Sequence, residues 1–283
     1  MVSQQSKSKL NPRKVFWQCG ACSHAMFHLI NHEFDNDKPT EEKASDLLAG
    51  GINQKGHQCG MLWGGSLAIG TEAYRKYGNS TRATSSAINA SKYLIQSFQK
   101  RTHTVNCRDI SNVDWENKFQ LAIYMVKTIA QGFVFSPCFN LIVKWTPEAV
   151  EAAKKGLTEE TQANQPCTSC TSEVLKKMGA TDEEAIMAAG LAGGIGLSGN
   201  ACGALGAVLW YKMLEWGKSN PGKTQPMFNN MDAKKILRTF YMQTDSEVLC
   251  SKITNQQFNS IDDHSNYINK GGCKHIIDAL SKA

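Results

Sequence analysis

The 283-residue sequence has no run of about 18 uninterrupted apolar residues, so a membrane-spanning helix is not expected. The start, Met1 to Lys9, is polar, and no apolar segment precedes Phe16, so no secretory signal is expected either. Strand signals are scarce. β-branched runs are short and neither Asn-Gly nor Asp-Gly hairpin turns occur. The net charge of +6 is scattered, apart from a Lys7–Lys14 cluster that reads as a solvated tail. Without a basic stripe interleaved with aromatics, nucleic-acid binding has no support. What remains is a globular, cytoplasmic protein with 41% hydrophobic residues, enough for a proper core.

Cysteine is what the chain has in excess. There are ten, and without an export signal they point to metal or redox chemistry rather than structural disulfides. They fall into two sets of five in the same order. An offset of 143 residues carries Ala49-Gly50-Gly51-Ile52 onto Ala192-Gly193-Gly194-Ile195, Gly56 onto Gly199, Cys59-Gly60 onto Cys202-Gly203, and Cys107 onto Cys250. Upstream, Cys19-x-x-Cys22 pairs with Cys167-x-x-Cys170 after five extra residues in the first copy, around Asp35–Thr40. Downstream, Cys138 pairs with Cys273. The chain therefore reads as a tandem duplication, with a first repeat over 1–156 and a second over 157–283. The joint begins with a short helix expected at Pro147–Lys155, capped by Thr146 and ended by Gly156, and continues as a polar linker.

Apolar residues recur at helical spacing through most of both copies. Helices are expected from Cys22 and Cys170, from Thr40 and Thr181, and over Leu62–Lys76, Ser85–Arg101, Asp114–Gln131, Leu205–Gly217, Asp232–Thr244 and Cys273–Lys282. The fold class is thus all-α: two homologous helical domains of about five helices each, related by a pseudo-twofold.

Within each copy the best-kept element is a glycine loop that ends in a cysteine at a helix start. Gly51, Gly56 and Gly60, with Gly194, Gly199 and Gly203, are the expected cofactor-facing glycines. A helix N-terminus favours thiolate over thiol, so Cys59 and Cys202 are expected to be acidified. Gly194-Ile-Gly196-Leu-Ser-Gly199 matches a dinucleotide fingerprint by letter, but it follows a helix rather than a strand, which excludes that reading. Haem c is excluded because Ser23 and Thr171 stand where its motif needs histidine. A zinc site usually presents a second close cysteine pair, whereas the other three cysteines of each set are single and far apart. His24, His28, His32 and His57 have no histidine counterparts in the second copy and read as surface or packing residues. His103 and His264 read as exposed loop residues, and His275 has no assigned role. Trp17, Trp63, Trp210 and Trp216 read as core.

Dispersed cysteines gathered by folding suit a thiolate-held iron–sulfur cluster, and nearly as well a thiol–disulfide relay through the Cys19/Cys22 and Cys167/Cys170 pairs. A non-catalytic metal-binding module is a third reading. At these residues the sequence resembles the family known by its cysteine signature, C_GCAxxG_C_C. The resemblance maps Cys22, Cys59, Cys107 and Cys138, and Cys170, Cys202, Cys250 and Cys273, onto the four cysteines of that signature. Met61 replaces the signature alanine in the first copy, where the second has Ala204. The closing glycine is Gly64 in the first copy, whereas the second has Ala207 with Gly206 one position early. Cys19 and Cys167 are additions. The resemblance implies a small helical unit with redox activity. Through a related domain in split-Soret cytochrome c, it also implies iron–sulfur binding. All ten cysteines are then candidate metal ligands, with one cluster per repeat. Expected partners are a redox protein or a small-molecule electron donor or acceptor, with a homodimer allowed for and an anaerobic setting in keeping.

Overall fold

The computed structural model describes residues 10–130, 136–159, 166–224 and 226–283. Helices account for its regular structure, and among the described residues there is no strand beyond two isolated bridges, Gln58 with Asn106 and Ala201 with Leu249. The first copy supplies α1 (Pro12–Cys19), α2 (Cys22–Glu33), α3 (Pro39–Lys43), α4 (Gly60–Tyr77), α5 (Thr81–Thr102), α6 (Cys107–Ser111), α7 (Lys118–Ala130) and α8 (Pro137–Thr158). The second supplies α9 (Cys170–Lys177), α10 (Asp182–Met187), α11 (Gly203–Ser219), α12 (Met231–Thr244), α13 (Cys250–Ile253), α14 (Ile261–Asn269) and α15 (Lys274–Leu280). Short 3₁₀ turns at 44–48 and 189–191 lead into the two glycine loops. The all-α duplication stands, with more and shorter helices than five per copy.

The matching bridges reveal the duplication at the level of single hydrogen bonds. Cys59 donates its N–H to Val105 and Cys202 to Val248, at 2.8 and 2.9 Å. Cys107 donates to His57 and Cys250 to Asn200, at 2.6 and 2.7 Å. Ser23 and Thr171, one residue past the helix-opening cysteines, each donate a hydroxyl to a carbonyl at the following 3₁₀ segment, Ser45 within the first and Ala188 at the start of the second, both at 2.7 Å.

Three expectations need correction. The helix expected to start at Pro147 starts at Pro137, and Pro147 lies inside it. Phe139, Ile142 and Trp145 are buried ahead of the proline, and Trp145 meets Phe98 of α5 edge to face at 4.6 Å. That packing outweighs one missing helix hydrogen bond. The basic cluster is not all tail, since Pro12 opens α1, whose Asn11 cap accepts from the Arg13 and Lys14 N–H groups. Residues 1–9, and the linker at 160–165, lie outside the described residues. Trp63 and Trp210 are fully buried as expected, Trp216 is half-buried, and Trp17 is 60% exposed.

The copies interlock rather than merely abut. A Cβ on Gly70 of α4 would meet the Met187 carbonyl at 2.1 Å, and one on Gly196 the Lys92 backbone at 2.4 Å. Gly206, in the first turn of α11, lies against the Trp63 ring from the first turn of α4. Trp63 and Gly206 each stand four residues beyond the loop cysteine of their own copy, so the two loops approach one another here. Gln58 adds a hydrogen bond to the Gly194 carbonyl at 3.1 Å.

Candidate functional site

Each copy gathers four buried or half-buried thiols. In the first, Cys22 opens α2, Cys59 caps α4, Cys107 opens α6 and Cys138 lies in the first turn of α8. All four are close enough to influence one another's charge. In the second, Cys170, Cys202, Cys250 and Cys273 line one enclosed cavity of about 20 Å³ together with Ile253, Phe258, His264, Tyr267, Ile268 and Ile276. No disulfide links any of the ten.

The extra cysteines stay outside these groups. Cys19 lies beside the His24 ring, and Cys167 lies 3.9 Å from the Ser265 hydroxyl, with Asp262 nearby. Burial pushes the Cys167 thiol up to about 11, and Asp262 adds to it.

Backbone N–H groups point at the sulfurs. Gly50 and Ser23 donate to Cys22, Gly193 and Thr171 to Cys170, and Leu205 and Ala204 to Cys202. Gly50 and Gly193 have φ of +67° and +60°, the left-handed region that turns their N–H groups inward. The expected cofactor-facing glycines are their neighbours, although Gly50 and Gly193 stand in the same kept Ala-Gly-Gly-Ile run. Among the expected glycines, Gly60 is forced by the site, because a Cβ there would lie 2.6 Å from the Cys22 sulfur. Gly203 has the Leu191 carbonyl in that direction. Gly51 and Gly194 close their loops against His57 and Asn200, and Gly56 and Gly199 against Arg108 and Gln257.

The acidified thiol is not the one expected. In the first copy Cys59 donates to Cys22, and this bond, helped by the N–H groups of Gly50, Cys22 itself and Ser23, pulls Cys22 below the ordinary cysteine value against the cost of burial. Cys59 is correspondingly pushed well up by Cys22 and by burial. Burial dominates elsewhere. It raises Cys107, Cys170, Cys250 and Cys273, and takes Cys138 and Cys202 up to about 12. At Cys202 desolvation of the charge exceeds what a helix N-terminus supplies, and at Cys59 the proton donated to Cys22 adds to burial.

Two tyrosines missing from the sequence reading complete the pattern. The Tyr124 hydroxyl bonds Cys138 and lies 2.9 Å from Ser136, and the Tyr267 hydroxyl is 4.0 Å from the Cys273 sulfur. They sit at different distances along the chain from their cysteines, so no register connects them. Around Cys107 the Ser111 hydroxyl and the Trp115 indole N–H provide further donors.

His264 is not an exposed loop residue. It is 1% exposed on α14, meets Phe258 edge to face at 5.0 Å, and lines the second cavity with its Nδ1 unpartnered. Burial pushes it down to about 4. His103 is exposed at the end of α5 and His275 is exposed on α15. His57 is half-buried and contributes its carbonyl to Cys107. His24, His28 and His32, one helical turn apart on α2, each face a carboxylate: Asp46 at 3.2 Å, Glu42 at 2.9 Å and Asp37 at 3.7 Å.

One metal ion shared by cysteines would bring tetrahedral sulfurs to about 3.8 Å, from Zn–S bonds near 2.3 Å. Among the described residues no three cysteine sulfurs lie within 4.8 Å of one another. Nor is any described helix long and apolar enough to cross a membrane. Comparison with known proteins gives one family: the model described as "Putative redox-active protein (C_GCAxxG_C_C)" matches twice, over residues 21–181 and 165–283. No curated protein and no solved structure matches the chain.

Proposed function

Because the chain belongs to the C_GCAxxG_C_C family, we propose that it is a redox protein carrying one iron–sulfur cluster per repeat, held by Cys22, Cys59, Cys107 and Cys138 and by Cys170, Cys202, Cys250 and Cys273. The observation that carries this reading is the gathering of four thiols in each copy with N–H donors aimed at them. The donor set fits such a group: four thiolates suffice for either common cluster type, and among the described residues no three sulfurs lie as close together as one ion would hold them. When bound, the cluster supplies one-electron transfer. The chain's own residues do the rest. Gly50, Gly193 and the first-turn N–H groups stabilise negative charge on sulfur, and Tyr124 and Tyr267 orient the last cysteine of each set. Ile253, Phe258, Ile268 and Ile276 exclude water from the second site. Cys19 and Cys167 take no part in ligation.

A redox partner, protein or small molecule, is the expected counterpart. Iron and acid-labile sulfide analysis of anaerobically purified protein, with EPR, tests the reading, and colourless protein without iron after reconstitution defeats it.

A second reading rests on the Cys59–Cys22 hydrogen bond. A thiolate in contact with a thiol is the arrangement a dithiol–disulfide couple needs, so thiol–disulfide chemistry would run through Cys22 and Cys59 rather than Cys19 and Cys22. Peptide mapping across a redox titration would find that disulfide.

A further inference from the structure

The first copy contains a cluster of metal-ligating side chains with no counterpart in the second. The ring Nδ1 of His28 on α2 and the carboxylates of Asp37 and Glu42, just before and within α3, present ligand atoms all within 4.8 Å of one another. Two of these groups, His28 through Nδ1 and Glu42 through Oε2, share a hydrogen bond of 2.9 Å, a separation that neighbouring ligands of a small cation also adopt.

The carboxylate of Glu42 is prepared on its far side. Its Oε1 accepts from the Asn31 amide at 2.8 Å and from the Lys38 backbone N–H at 2.9 Å, which leaves Oε2 directed at His28. Glu42 is 1% exposed, so this orientation is fixed by packing as well as by hydrogen bonds. Outer donors of this kind hold a carboxylate in the orientation that metal ligation needs. Asn31 is itself fully buried and its Oδ1 has no hydrogen-bond partner. One turn along, His32 Nδ1 lies 3.7 Å from Asp37 Oδ1, within ion-pair range but beyond hydrogen-bond length. His28 and Asp37 are partly exposed, so the cluster opens to solvent on one side.

The asymmetry between copies marks the cluster as more than inherited scaffold. In the register of the duplication, His28, His32 and Glu42 correspond to Lys176, Ala180 and Ala185, and Asp37 comes from the five residues present only in the first copy. Ligand and support changed together, whereas the thiol sites were kept.

We propose that His28, Asp37 and Glu42 form a binding site for a divalent first-row transition ion, separate from the cysteine centres. One imidazole and two carboxylates suit zinc, cobalt, manganese or ferrous iron, and the open side leaves positions for water. The proposal does not depend on the thiols holding a cluster.

Cobalt(II) titration of the metal-free full-length chain tests it. Cobalt held by thiolates adds an intense near-ultraviolet charge-transfer band, whereas cobalt on imidazole and carboxylate shows only weak visible bands. The site predicts one equivalent of the second kind, weakened at least tenfold in His28→Gln and in Asp37→Asn. Asp37 is on the surface and its substitution leaves the fold intact, which thermal melting of the apo protein checks. Binding unchanged in both variants, or cobalt uptake only with thiolate charge transfer, would overturn the proposal.

Discussion

The backbone N–H of Gly50 points at the sulfur of Cys22, and 143 residues later Gly193 makes the same bond to Cys170. A positive φ is what aims both groups. Gly50→Ala and Gly193→Ala therefore have two consequences. Left-handed backbone costs a non-glycine residue about 1–2 kcal/mol. The N–H also turns away, which would lower the reduction potential of the cluster proposed for that repeat, since hydrogen bonds to sulfur favour the more negative state. Thermal melting and a spectroscopic redox titration read the two effects separately.

The tyrosine hydroxyls make a milder version of the same prediction. Tyr124→Phe and Tyr267→Phe each remove a hydroxyl that can donate to the thiolate of the last cysteine of one set while leaving the ring in place. Each is expected to shift the potential of its own centre downward and leave the other unchanged. A shift in both, or in neither, would show that the hydroxyls do not act on the centres.

How much of this was legible in the sequence depends on the range of the forces involved. The cysteine register and the glycine loops were legible because both copies repeat them letter by letter. Tyr124 and Tyr267 were not, because they reach similar places from α7 and α14 along unrelated paths. His264 looked exposed in a polar stretch, yet α14 folds back over the second cavity and buries it. Pro147 looked like a helix start by local rules, and the burial of Trp145 against α5 overrode them. The acidity of Cys59 is beyond local rules for the same kind of reason, since its hydrogen bond to Cys22 and its burial are both tertiary properties.

His264 gives a pH dependence with a definite sign. Its folded value near 4 lies below the ordinary 6.5. Between those values the unfolded chain binds a proton that the folded chain refuses, so stability is lost as pH falls from about 6.5 to 4. The loss approaches roughly 3 kcal/mol for a fully buried group. In His264→Gln the melting temperature should fall less steeply than in wild type over that window. Parallel curves would contradict the assignment.

Trp63 on Gly206 predicts what holds the copies together. A Cβ at Gly206 would stand 2.3 Å from the Trp63 ring. Gly206→Ala should then destabilise the chain by about 1–3 kcal/mol, as overpacking does. Chemical denaturation measures this directly, and because the contact joins the two loops, both cysteine sites should respond.

The most direct test of the central claim is iron and acid-labile sulfide per chain in anaerobically purified protein, with EPR of the reduced state, for wild type, Cys59→Ser and Cys202→Ser. The account predicts two clusters in wild type and loss of one in each variant, with Cys19→Ser and Cys167→Ser unaffected. Reconstituted wild-type protein without iron, or iron lost on changing Cys19 or Cys167, would contradict it.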